Sequence, residues 1–219
     1  MGVDSGGAVR RRRPSMESCL ESRPESRIMK TADGFQQCYN AQVAVTVGSQ
    51  FVVAADVVTA ANDKQQLQPM VEQVVANVDV PDGMIADSGY FSDANVQALE
   101  GRAGRPIEAH IAVERVRHGA PPPGPPRGRI PKGLSPADRM RRRLRTKGGR
   151  AIYAQRKTTV EPVIGQIKGR GFRRFSLRGL LGAQGEFQLV CAVHNLVKLW
   201  RRGAALGRET RPDCAPAYA

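Results

Sequence analysis

The chain has 219 residues, with 34 Lys and Arg against 20 Asp and Glu, a formal charge of +14. Hydrophobic residues make up 41% and charged residues 25%, enough apolar material for a core and too much for wholesale disorder. No apolar run approaches the roughly 18 residues of a membrane span, and no charged-then-apolar leader opens the chain. A soluble, intracellular protein is predicted.

Residues 1–27 read as a disordered leader, Gly-rich and then basic from Arg10 to Arg13, without periodicity. From Cys38 onward Tyr39, Ala41, Val43 and Val45 alternate with Asn40, Gln42 and Ala44, which predicts a strand. Gly48-Ser49 supplies a turn and Phe51 to Val58 a second strand, so an antiparallel hairpin follows. Asn62 or Asp63 can cap a helix on which Leu67, Met70, Val71, Val74, Val75 and Val78 recur at helical spacing. Met84-Ile85-Ala86 is a short strand ending at Asp87. Ser92 caps a helix bearing Val96 and Leu99, and Glu108 to Val113 is a further strand. This order predicts an α/β fold, a mixed sheet flanked by helices.

Residues 117–136 are rich in Pro, Gly and Arg and predict a flexible insertion. Roughly 137–168 is helical in character, interrupted at Gly148-Gly149 and at Pro162. Residues 171–179 form a basic loop. On the last helix Leu189, Val190, Val193, Leu196, Val197 and Trp200 make a stripe predicted to pack on the sheet. Residues 201–219 read as a disordered tail.

Charge is unevenly spread. Residues 1–100 hold 8 basic and 13 acidic side chains, and residues 101–219 hold 26 and 7. A net −5 half beside a net +19 half suggests an acidic centre next to a polyanion-facing surface; a solvated basic tail is the plainer alternative. Four cysteines (Cys19, Cys38, Cys191, Cys214) and three histidines (His110, His118, His194) show no zinc-ligand spacing. Disulfides do not suit an intracellular chain.

Three features bear chemistry. Asp87 ends a short strand, where open α/β sheets place ligands, and it equally suits an Asx turn or a helix cap. Lys157, Glu161 and Lys168 share a helix face, which offers a carboxylate between cations or a plain surface ion pair. In the stretch from Gly171 to Gly179, Arg173, Arg174 and Arg178 interleave with Phe172 and Phe175. The arginines suit phosphate, and the Phe rings suit either base stacking or anchoring in the core.

Read together, these segments resemble the catalytic domain of bacterial insertion-sequence transposases of the DDE type over Ile28 to Trp200. The resemblance is carried by Tyr39-Asn40-Ala41-Gln42, Asn62 to Leu67, Ala86-Asp87-Ser88-Gly89-Tyr90, Val160 to Lys168, the Gly171 to Gly179 loop and His194-Asn195-Leu196. It implies a ribonuclease H-like fold over residues 28–200 and two-metal phosphoryl transfer with Mg²⁺ or Mn²⁺. Asp87 and Glu161 correspond to the second and third metal-binding carboxylates. Tyr153, Arg156 and Lys168 correspond to the family's Tyr-Arg-Glu-Lys signature, with the Arg one position off its usual spacing, so Lys157 is an alternative. DNA is the implied partner, through Tyr153, Arg156, Lys157, Lys168, Arg173, Arg174 and Arg178. The chain itself or a full-length transposase is a second implied partner, and the bacterial nucleoid the implied location.

The first carboxylate departs from the pattern. Arg23 stands where the family places an Asp, and Glu25, Asp56 and Asp63 are the possible substitutes. Residues 1–22 are too short for the family's N-terminal DNA-binding region. The resemblance therefore implies a truncated, impaired copy that cuts and joins DNA poorly, or a non-enzymatic basic DNA-binding remnant.

Overall fold

Among the described residues, six strands and five helices form. The computed structural model describes residues 27–31, 34–114, 124–131 and 133–209. Strands β1 (Arg27–Thr31) and β2 (Gly34–Cys38) pair antiparallel, as do β3 (Asn40–Val45) and β4 (Val52–Val58). Strands β5 (Gly83–Ala86) and β6 (Glu108–Ile111) pair parallel. The helices are α1 (Leu67–Asn77), α2 (Asp93–Glu100), α3 (Pro136–Arg145), α4 (Lys147–Gly169) and α5 (Leu180–Glu209). Among the described residues no helix is long and apolar enough to cross a membrane.

The fold is α/β, with parallel and antiparallel pairings together. Among the described residues the strands form three two-stranded ladders rather than one continuous mixed sheet. The β3–β4 hairpin follows the predicted alternation. The β1–β2 hairpin has no counterpart in the sequence pattern: its side chains carry no clean apolar alternation, and its pairing is what holds it extended.

Among the described residues the core holds a small apolar cluster of Ala54, Met70 and Val74 and two larger ones. Leu67 and Val71 of α1, Val96 and Leu99 of α2, Ile107, Ala109 and Ile111 around β6, and Met140 of α3 form one. Val52 and Val57 of β4, Val163 and Ile167 of α4, and Ala183, Phe187 and Cys191 of α5 form the other. Cys191 is buried and free, its thiol pushed up to about 11 by desolvation, and the half-buried Cys38 is also free.

Pro162 does not interrupt α4. A proline has no N–H for the carbonyl four residues back, here that of Thr158. The Gln50 side chain from the β3–β4 turn donates to that oxygen at 2.9 Å, so the orphan acceptor is satisfied and the helix continues. The break falls instead at Thr146, which caps α4 by accepting from the Gly149 N–H at 3.0 Å. A Cβ at Gly149 would stand 2.0 Å from the Arg143 carbonyl oxygen. The glycine is there because the end of α3 crosses directly over it.

The predicted inward stripe of α5 needs correction. Leu189, Val193, Leu196 and Trp200 are exposed, and the buried face is Ala183, Phe187, Cys191 and His194. Val190 and Val197 lie half-buried between the two. Polar anchors decide the choice. Asn195 bonds both the N–H and the carbonyl of Val52, at 2.9 and 2.8 Å. Gln184 donates to Asp56 and to the Val57 carbonyl, and His194 meets the Gln50 carbonyl at 3.0 Å. These bonds seat the Phe187 face on β4.

The tail assignment also changes, because α5 runs on to Glu209. The stretch Arg201 to Arg208 contains mostly good helix formers and no proline. Residues 1–26 of the predicted leader and 210–219 of the predicted tail lie outside the described residues, as do 117–123 and 132 of the predicted insertion. Residues 124–131 of that insertion run beside α3, where Arg142 donates to the Gly128 carbonyl and Arg145 to that of Gly124.

Candidate functional site

Three of the motifs meet around one carboxylate. Asn40 and Gln42, on the same face of β3, both donate to Oδ1 of Asp63, at 2.6 and 3.0 Å. Gln42 accepts in turn from the Tyr90 hydroxyl. Asp63 lies in a short 3₁₀ turn capped by Asn62, and Tyr90 closes a second such turn after β5. Gly89 fits against Asp63 only because it lacks a side chain: a Cβ there would stand 2.9 Å from Oδ2. Asn95 of α2 adds bonds to the carbonyls of Lys64 and Tyr90, at 2.7 and 2.8 Å. Burial raises the Tyr90 hydroxyl pKa, and Asp63 and Asp87 raise it further, so Tyr90 stays a neutral donor. The network locks β3 to the chain on either side of Asp87. These residues lie in the quoted motifs, but their spacing gives no hint that they bond one another across the fold.

Asp87 follows β5, as predicted. It is also a cap, since its Oδ1 accepts from the Ser88 N–H at 2.7 Å. Its other oxygen faces α4, where Nη1 of Arg156 stands 3.5 Å away. Nη2 of the same guanidinium is 3.6 Å from Oε1 of Glu161. The structure thus brings Asp87 and Glu161 to either end of one cation. Both carboxylates are half-open to solvent, at 52% and 57% exposure, whereas Arg156 is 26% exposed. Arg156 lies 5.9 Å over the ring of Tyr153, and its Nε is buried without a hydrogen-bond partner. Desolvation is the main cause raising the Tyr153 pKa; Asp87 adds to it and Arg156 opposes it. Lys157, the alternative, is exposed on α4, and it is Arg156 that reaches the carboxylates.

The basic side chains occupy a neighbouring surface. Lys168, about 10 Å further along α4 than Glu161, lines an open groove of about 1060 Å³ with Arg173, Arg174 and Arg178. Gln36 and Gln37 of β2, Tyr39 between the strands and Ala41 of β3 line it as well. Packing assigns the role of the Phe rings: Phe175 meets Tyr39 and Phe172 edge-on, at 5.7 and 5.3 Å between centroids. Both Phe rings also contact Phe187 of α5. They anchor the loop. Glu186 ties it down from the other side by accepting from the Ser176 and Leu177 N–H groups, bonds that lower its pKa.

Carboxylate oxygens are suitable donors for Mg²⁺ or Mn²⁺, but among the described residues the donor set is two, with a guanidinium between them. Asp56 faces α5 and bonds Gln184 and the Val57 N–H. Asp63 is engaged by Asn40 and Gln42. Arg23 and Glu25 lie outside the described residues. Among the described residues no group of three or more His, Cys, Asp or Glu side chains could hold a metal ion. As arranged, these residues do not amount to a two-metal site.

Comparison with known proteins agrees with the resemblance read from the sequence. Residues 131–200 match the family described as transposase DDE domain. The match takes in Tyr153, Arg156, Glu161, Lys168 and the basic loop, and it ends before reaching back to Asp87. No curated protein and no solved structure matches the chain.

Proposed function

We propose, from the match of residues 131–200 to the transposase DDE domain family, that this chain is a ribonuclease H-like transposase domain that holds DNA and is impaired in cutting and joining it. The observation that carries the reading is the position of Arg156 between Asp87 and Glu161. In two-metal transfer, divalent ions on clustered acids stabilise the attacking and leaving oxygens. Here two acids face a cation that cannot deprotonate, and Arg23 stands in the place of the family's first acid. The groove cations Lys168, Arg173, Arg174 and Arg178, with the outward Lys157, are suited to phosphate oxygens. Tyr153 supports Arg156 from below. DNA binding is therefore the function these residues retain, with a second copy or a full-length transposase as the protein partner.

Mn²⁺-dependent nicking of a supercoiled plasmid tests this. The wild-type chain should retain the plasmid in a gel-shift assay and leave it unnicked. Robust nicking that Asp87→Ala abolishes would overturn the impaired reading and point to Glu25 or Asp56 as the completing acid. Failure to bind DNA at low salt would overturn the binding half.

A further inference from the structure

Helix α5 is apolar on two opposite faces, and among the described residues only one of them is packed. The inner face, from Ala183 to His194, packs on β4. On the other side Leu181, Gly185, Leu189, Ala192, Val193, Leu196, Leu199, Trp200 and Gly203 fall within about a third of the helix circumference. None of them is charged. Leu189, Leu196 and Trp200 are 66%, 63% and 72% exposed. The positions 189, 193, 196 and 200 step by four, three and four, the spacing at which one helix packs along another. A stripe roughly 33 Å long with no charge on it is not an ordinary solvent face, which is expected to be polar.

We infer that the outer face of α5 is a self-association surface on which a second copy of this chain docks with its α5 antiparallel. Two observations select this occupant. Size complementarity is one: with the helices crossing near Ala192-Val193, Trp200 of one copy lies over Gly185 of the other. Gly185 is exposed, and a Cβ there would meet nothing within 4 Å, so the bulkiest side chain of the stripe meets a bare backbone. Area is the second. The exposed surface of Leu181, Leu189, Val193, Leu196, Leu199 and Trp200 is on the order of 700 Å² per copy, so two copies reach the range of a standard stable interface. The surface is separate from Asp87 and Glu161; the inference rests on the second-copy partner proposed above, and its test depends on neither DNA binding nor cleavage.

Trp200 is the single tryptophan of the chain, so its emission reports on this face directly. Sedimentation of the full chain over a dilution series should show a dimer, with Trp emission moving to longer wavelength as it dissociates. Leu196→Glu, which places a charge at the centre of the face, should weaken association about 100-fold or more and fix the emission at its monomer position. Gly185→Leu should weaken it too, while far-UV circular dichroism shows helix content kept or raised. The inference is overturned by a chain that stays monomeric at concentrations on the order of 100 µM. A dimer that survives both substitutions would also overturn it. So would a Trp shift produced only by anionic phosphatidylglycerol vesicles, which would assign the face to a lipid surface.

Discussion

Nη1 of Arg156 stands 3.5 Å from the Asp87 carboxylate, so a residue early in α4 reaches the residue that follows β5. The same side chain extends its other terminal nitrogen to Glu161. A cation five residues before Glu161, outside the i, i+4 spacing of a helical surface pair, thus becomes the link between two carboxylates that the chain keeps far apart. Both distances exceed a good charge-assisted hydrogen bond, and both acids are half-open to water. The link sets the charge of the site more than it stabilises the fold.

Arg156→Gln is therefore expected to change global stability little, within about 0.5 kcal/mol by urea denaturation. It should strengthen Mn²⁺ binding about fivefold, because removing a unit charge a few ångströms away is worth about 1 kcal/mol in a water-like dielectric. Electron paramagnetic resonance titration of free Mn²⁺ reads this directly. An unchanged affinity, or an equal gain in an Asp87→Ala background, would show that Arg156 does not guard the pair.

Asp63 is the centre of a network with no visible catalytic partner, and its substitution should be felt as lost stability. Asp63→Ala leaves the Asn40 and Gln42 amides short of an acceptor, at a cost of about 2–3 kcal/mol. Gly89→Ala should also destabilise, since its Cβ would press on Oδ2 of Asp63. The two substitutions together should cost less than their sum, because removing the carboxylate opens the space that the new methyl needs. Strictly additive effects in chemical denaturation would contradict the contact.

The groove cations should bind DNA through phosphates alone. Changing Arg173, Arg174 and Arg178 to Ala should weaken binding to all duplex sequences alike. The log–log salt slope should flatten by up to about 0.9 for each phosphate that is no longer neutralised. The anchoring rings remain in place, so the melting temperature should hold. Weakening confined to one sequence, or an unchanged slope, would place the DNA elsewhere.

His194 should make the protein acid-sensitive. It is fully buried; its Nε2–H donates to the Gln50 carbonyl, and its Nδ1 faces the Arg170 guanidinium at 3.2 Å. Desolvation is the main cause lowering its pKa; Arg170 and Lys198 lower it further, against the opposing Gln50 bond. A histidine whose folded pKa is depressed contributes stability above its unfolded value near 6.5 and loses it as pH falls through the folded value. Thermal melts between pH 7 and pH 5 should show a falling Tm, and His194→Gln, which can keep both hydrogen bonds without titrating, should flatten that dependence. An identical pH profile in the variant would remove His194 from this role. His110, also buried with a lowered pKa, contributes in the same direction and sets the residual slope.

Much of the local structure was legible from side-chain periodicity and capping. Alternation of small and β-branched residues specified the β3–β4 hairpin, Ser92 started α2, and the short run Met84 to Ala86 ended where Asp87 emerges. These are decisions between near neighbours, and a one-dimensional pattern contains them. The partners across the fold were not legible. Pro162 reads as a break, yet α4 continues because Gln50, distant in sequence, supplies the hydrogen bond that the proline's own neighbour lacks. Lys157, four residues before Glu161, has the helical spacing, yet the position of β5 brings in Arg156, one position off it. On α5 both faces are apolar, so hydrophobic periodicity has two equal solutions. The choice was made by Asn195, Gln184 and His194, whose hydrogen bonds to β4 and its preceding turn exist only once the two elements are in contact. The sequence determined by itself most of the elements, the β1–β2 hairpin and the far end of α5 excepted; the tertiary structure decided which way they face, because that depends on polar groups finding partners far along the chain.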